Sequence, residues 1–150
     1  EDITEEDWSR VMRINLDGAF YACRAAAPYL KKSGKNGRII NLSSQAALNG
    51  TAHGVHYGAS KAALLGLTYC LAKELGPDGI TVNAILPGRI DTEMLAYATP
   101  ERRAQWLQST PLGRFGDTAD IAELAVFLAS DKGGYITGAK INVNGGLSTG

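Results

Sequence analysis

Only two cysteines and two histidines occur among the 150 residues. Cys23 and Cys70 both fall in apolar helical patterns. They read as small core residues rather than as a disulfide or a thiolate metal pair, and a reducing cytoplasm is the expected compartment. His53 and His56 lack partners at metal-ligand spacing, so no metal site is expected. They read as turn or rim residues, with a place in a substrate pocket as the alternative. Neither sign of charge dominates, since 15 basic residues meet 15 acidic ones. No basic patch points to nucleic acid, and no apolar run reaches the 18 residues of a membrane span. The start is acidic and amphipathic, unlike a signal or transit peptide. No internal repeat or low-complexity stretch breaks a chain of single-domain length.

What is present is an alternation of helical and strand patterns with 18 glycines for tight turns. Thr4 is the expected N-cap of a helix over 4–32, with Glu5, Glu6 and Asp7 favourable at its positive end. Trp8, Val11, Met12, Leu16, Phe20, Cys23, Ala27 and Leu30 follow helical spacing along it. Asn15 lies beside that apolar stripe, where a buried amide needs partners. Pro28 is expected to bend the last turn. A strand at 38–43 follows, then a loop of small residues and a helix over 56–75. Gly76-Pro77 is expected to end this helix through a C′ glycine. A strand at 79–86, a loop at 91–108 with short helices near 92–95 and 100–107, a helix over 118–130 capped by Asp117, and a last strand around 139–143 complete the pattern. The expectation is an α/β fold: three parallel strands with helices on both faces, in one partial domain over 1–150.

Three stretches carry chemistry. Tyr57 and Lys61 are four apart on a helix, so phenol and ammonium are neighbours. A cation beside a phenol favours the phenolate, giving a proton donor or acceptor suited to carbonyl and alcohol chemistry. Alone, the spacing is common, and a packed tyrosine beside a solvated lysine would show it too. Ser43 and Ser44 fall at the carboxyl end of a buried strand, where open α/β sheets bind ligands. A serine there can donate to an oxygen that gains charge, or simply hydrogen-bond its own turn. Pro87-Gly88 follows the next strand and allows a close backbone approach to a ligand, or an ordinary strand-to-helix turn.

The ordered set is far more specific than its parts. Asn15-Leu16-x-Gly18, Ser44 thirteen residues before Tyr57, Tyr57-x-Ala59-Ser60-Lys61 and Val82-Asn83-x-x-x-Pro87-Gly88-x-Ile90-x-Thr92 stand in one sequence. Pro111-Leu112-Gly113-Arg114, Ile136-Thr137-Gly138 and Val143-Asn144-Gly145-Gly146 extend it. The chain resembles the short-chain dehydrogenase/reductase family, of the 3-oxoacyl-acyl-carrier-protein reductase-like type, over essentially its whole length.

The resemblance implies a Rossmann-type doubly wound sheet and an NAD- or NADP-dependent oxidoreductase acting on a small-molecule carbonyl or secondary alcohol. It implies Tyr57 as general acid or base and Lys61 as its cationic partner and ribose ligand. Ser44 would polarise the substrate oxygen, and the Asn15 backbone would hold a relay water. Pro87, Gly88, Ile90 and Thr92 would meet the nicotinamide end. Residues 91–108 would form a lid in which Met94, Leu95, Tyr97 and Trp106 line the substrate or make ordinary helix contacts. A homodimer or homotetramer is implied as well. The family's T-G-x-x-x-G-x-G turn, which holds the pyrophosphate, is not among these residues. The chain therefore reads as the C-terminal, catalytic half of such a reductase. The rival expectation is a non-catalytic remnant or oligomerisation partner. Asn144 stands where the family usually has Asp, a position read as structural.

Overall fold

A computed structural model describes residues 1–52 and 54–149, with the side chains of Lys35, Met94 and Ala96 left aside. The readings of His53 and of the Met94 side chain therefore lie outside the described residues. The elements run α1 (Glu5–Met12), a π-helical segment (Arg13–Asp17), α2 (Gly18–Lys32), β1 (Arg38–Leu42), α3 (Ala46–Asn49) and α4 (Val55–Leu75). They continue with β2 (Thr81–Pro87), α5 (Glu93–Ala96), α6 (Pro100–Gln108), α7 (Thr118–Ala129) and β3 (Lys140–Val143). The strands form one parallel sheet in the order β1-β2-β3. Ile39 lies opposite Val82, and Ile85 opposite Ile141. All three strands thus point their carboxyl ends to the same edge.

The central strand explains the layering. Val82, Ala84 and Leu86 alternate onto one face, and all are fully buried. Ala72 and Leu75 of α4 pack with Val82 and Ile80, while Leu65 packs with Ala84 and Leu86. Ile85 points to the opposite face and is equally buried. There α7 packs against β1 and β2, with Leu128 wholly enclosed. The α1–α2 pair lies outside α4, contacting it through α1 and the π-helical segment.

The structure corrects several expectations. The first long helix is not regular, since a π-helical segment carries Asn15 at its middle. A single π turn with i→i+5 bonds is rare inside an α-helix, so a helical reading of the sequence does not anticipate it. The helix does run through Pro28 to Lys32. Gly76 is not a left-handed cap: its φ is −56°, and the chain continues into a 3-10 turn. The left-handed residue is Gly79, with φ 74°. Cys23 is buried as expected, but Cys70 is exposed, so only one of them is a core residue. The strands end within one or two residues of expectation. Asp117 caps α7 as expected, in a full capping box with Asp120.

Candidate active site

The exits of the three strands are stitched together before any side chain is considered. Ser43 N donates to Ile85 O at 2.9 Å, and Gln45 N to Pro87 O at 3.0 Å. Gly88 N donates to Val143 O at 2.9 Å. A Cβ on Gly88 would stand 2.6 Å from the Asn144 Cα, so only glycine lets these two exits close on each other. Ser44 sits within this stitched edge. Its Oγ accepts from Ala46 N at 3.1 Å, which starts the short helix α3, while the hydroxyl proton remains a donor.

Tyr57 and Lys61 stand in the first two turns of α4, over the same edge. The Lys61 Nζ lies 5.8 Å from the centroid of the Tyr57 ring, within cation–π range. Lys61 also donates to the carbonyl of Leu42, the last residue of β1, at 3.0 Å. Burial pushes its ammonium below the ordinary lysine value. Tyr57 is 38% exposed, so its ring faces an open side of the molecule. His56 is half-buried, and its Nδ1 accepts from Tyr57 N at 3.0 Å, satisfying one of the free donors of the helix start.

Asn15 joins the same cluster through its side chain. Its Nδ2 donates to Ser60 Oγ at 3.0 Å, and Ser60 donates to the Tyr57 carbonyl at 2.8 Å. The Asn15 amide is therefore a satisfied structural group, and any water-holding role falls to its backbone. The structure thus brings Asn15, Tyr57 and Lys61 together and ties Lys61 to the strand end that carries Ser44. Pro87 and Gly88 lie at the adjoining strand exit. Ile90 turns toward Gly116, with which it forms a parallel bridge. The Thr92 hydroxyl makes a long 3.4 Å contact with the Ile90 carbonyl.

A model described as Enoyl-(Acyl carrier protein) reductase matches residues 1–148. The chain belongs to the short-chain dehydrogenase/reductase family. It is 44% identical over 145 residues to rat "(3R)-3-hydroxyacyl-CoA dehydrogenase", covering 97% of this chain and 56% of that protein. It is 47% identical over 148 residues to "L-rhamnose-1-dehydrogenase" of the yeast Scheffersomyces stipitis, covering 97% and 57%. A solved 3-oxoacyl-[acyl-carrier protein] reductase from Brucella melitensis superposes with a TM-score of 0.93 at 39% identity, covering 99% of this chain and 56% of that one. The chain thus spans little more than half the length of these relatives.

In this short-chain dehydrogenase/reductase chain, two residues have roles that the sequence does not show. Ser60 stands in the sequence only as part of the motif, yet it is the fully buried link between Asn15 and Tyr57. Ser43 and Ser44 are neighbours, but the two hydroxyls part: Ser43 turns inward and donates to Lys61 O at 2.7 Å. Strand alternation was the available signal, since neighbours at a strand end point to opposite sides. Residues 91–108 make several charged and aromatic contacts. Trp106 lies between Arg89 and Arg102, at 5.4 and 5.2 Å, and Arg103 pairs with Asp91 at 3.0 Å. Tyr97 is 91% exposed. A cavity of ≈ 400 Å³ opens by Ile90, Pro111, Leu112 and Asn144, with no wall from Tyr57, Lys61 or Ser44.

Proposed function

We propose that these residues form the catalytic half of an NAD(P)-dependent oxidoreductase that interconverts a carbonyl and a secondary alcohol, and that the full-length protein works in the cytoplasm. The observation that carries this reading is the placement of the Lys61 ammonium 5.8 Å from the Tyr57 ring, over the strand exit that bears Ser44. Tyr57 gives a proton to the substrate oxygen in reduction and takes it back in oxidation. Lys61 sets its positive charge beside the Tyr57 ring. Ser44 donates its hydroxyl proton to the same substrate oxygen, where charge develops. The Asn15 backbone holds a water for proton relay, its side chain being engaged with Ser60.

The residues present fit the nicotinamide end of a dinucleotide. An ammonium has three donors, and Leu42 O takes one from Lys61; the others suit ribose hydroxyls. Backbone at Pro87, Gly88 and Ile90, with the Thr92 hydroxyl, would hold the nicotinamide. When bound, the cofactor supplies or accepts the hydride. These 150 residues contain no Gly-rich turn to hold a pyrophosphate. The relatives include a hydroxyacyl-CoA dehydrogenase and a sugar dehydrogenase, so the substrate panel should contain both acyl thioesters and sugars.

Tyr57→Phe in the full-length protein tests the reading. It is expected to lower kcat by more than about 100-fold, the scale of general acid–base catalysis, with the fold unchanged. Near-normal turnover by the folded variant ends the proposal.

A further inference from the structure

Two buried hydroxyls outside the proposed chemistry grip the backbone of the Tyr57–Lys61 turn from opposite sides. In an α-helix the carbonyl of Tyr57 accepts from the N–H four residues on. Its second lone pair takes the Ser60 hydroxyl at 2.8 Å. Ser60 has no exposed surface, and its oxygen in turn accepts from Asn15 Nδ2. The grip therefore starts in the π-helical segment of the neighbouring helix. On the sheet side, buried Ser43 donates to the Lys61 carbonyl at 2.7 Å. Lys61 returns the link through Nζ to Leu42 O at 3.0 Å. Strand end and lysine thus exchange two bonds, while the tyrosine carbonyl is held from the helix side.

Each such bond adds little to stability by itself. Their greater effect is on placement, because a shift of about 1 Å in a reacting group can cost about 100-fold in rate. A helix held from one side only can roll or slide on the sheet; one held from both sides cannot. We propose that Ser60 and Ser43 are positioning residues. Ser60 transmits the hold of Asn15 to the Tyr57 carbonyl, and Ser43 locks Lys61 to the exit of β1. Phenol and ammonium thereby keep one placement relative to Ser44. The inference rests on the reading of Tyr57 and Lys61 as the acid–base pair.

The test uses the full-length protein, with Tyr57→Phe run beside the serine variants. Ser60→Ala and Ser43→Ala are expected to lower kcat about 10- to 100-fold while moving KM less. They should also shift the midpoint of the pH–rate profile, since the ammonium no longer stands at a set distance from the phenol. Ser43→Thr keeps the hydroxyl and should recover most of the rate. Ser60→Cys keeps a weaker donor and should fall between serine and alanine. Suppose Tyr57→Phe is inactive but both alanine variants keep the normal kcat and pH profile and lose only thermal stability. The hydroxyls are then purely structural and the inference is overturned. If Tyr57→Phe turns over normally, the acid–base reading itself fails, and the inference falls with it. Where an alanine variant does not fold, a cysteine at that position (Ser60→Cys or Ser43→Cys) decides: a normal profile overturns the assignment, and a shifted one supports it.

Discussion

At Lys61 one residue is asked to do two things that conflict. The role proposed for it needs a charged ammonium beside Tyr57, yet burial works against the charge and pushes its value down. A lysine with a folded value below its unfolded one costs stability at neutral pH. That cost is full below the depressed value and is relieved as pH rises toward the ordinary lysine value, 10.5. The carbonyl that loses its ammonium donor belongs to Leu42, a residue 53% exposed, which water can satisfy. Lys61→Met is therefore expected to melt no lower than the parent, while its activity falls. The same variant should weaken nucleotide binding and change the oxidation pH–rate profile. Calorimetry, a cofactor titration and the pH–rate profile read these three effects. An unchanged profile with unchanged nucleotide affinity would rule out both roles proposed for Lys61.

At the scale of elements, β2 and β3 are joined by more than their ladder. Fully buried Asn83 donates to Ile136 O at 2.7 Å and accepts from Ala139 N at 3.0 Å. Asn83→Ala would leave both backbone groups unmet, at about 3 kcal/mol. A lowered denaturation midpoint with lost amide protection in β3 is the expected result, and an unchanged midpoint would contradict it. The start of α7 carries a pH-dependent contact. Hydrogen bonds from Arg114, and then from the Asp117 N–H, hold the Asp120 carboxyl at about 2. A carboxylate held below its ordinary value stabilises above that value, 3.8, and loses this contribution as pH falls toward about 2. The 113–118 loop should therefore lose amide protection over that interval, and Asp120→Asn should abolish the dependence. High salt should weaken it, because the pair is exposed. These elements were legible in sequence where their cause is local. Asp117 shows its cap three residues before Asp120, and the apolar run of β2 shows its burial. The Asn15–Ser60 bond spans 45 residues and follows no local period, so neither it nor the π-helical segment beside it could be read. Gly76 and Gly79 differ only in which one takes the left-handed turn, a choice made by the 3-10 turn between them.

Over the whole molecule, the α1–α2 pair poses the remaining question. Its inner side meets α4, but Trp8, Ile14, Phe20, Tyr21 and Tyr29 all remain exposed. Phe20 and Tyr21 lie 5.6 Å apart, and the Arg24 guanidinium stacks within 5.5 Å of both rings. Scattered apolar residues need no partner, but a contiguous aromatic patch of this kind does. Aromatic residues with arginine are also the composition enriched at protein interfaces. Charge offers no obstacle, since the chain is balanced at 15 and 15. A like subunit presenting the same patch would satisfy a two-fold interface, in which every contact is made twice. The full-length protein is therefore expected to sediment as a dimer or tetramer at micromolar concentration. Arg24→Glu would remove the cation stacked on both rings and set a carboxylate against their negative faces, and should shift the population toward monomer. A stable monomer of the unaltered protein would mean that the assembly proposed here is wrong.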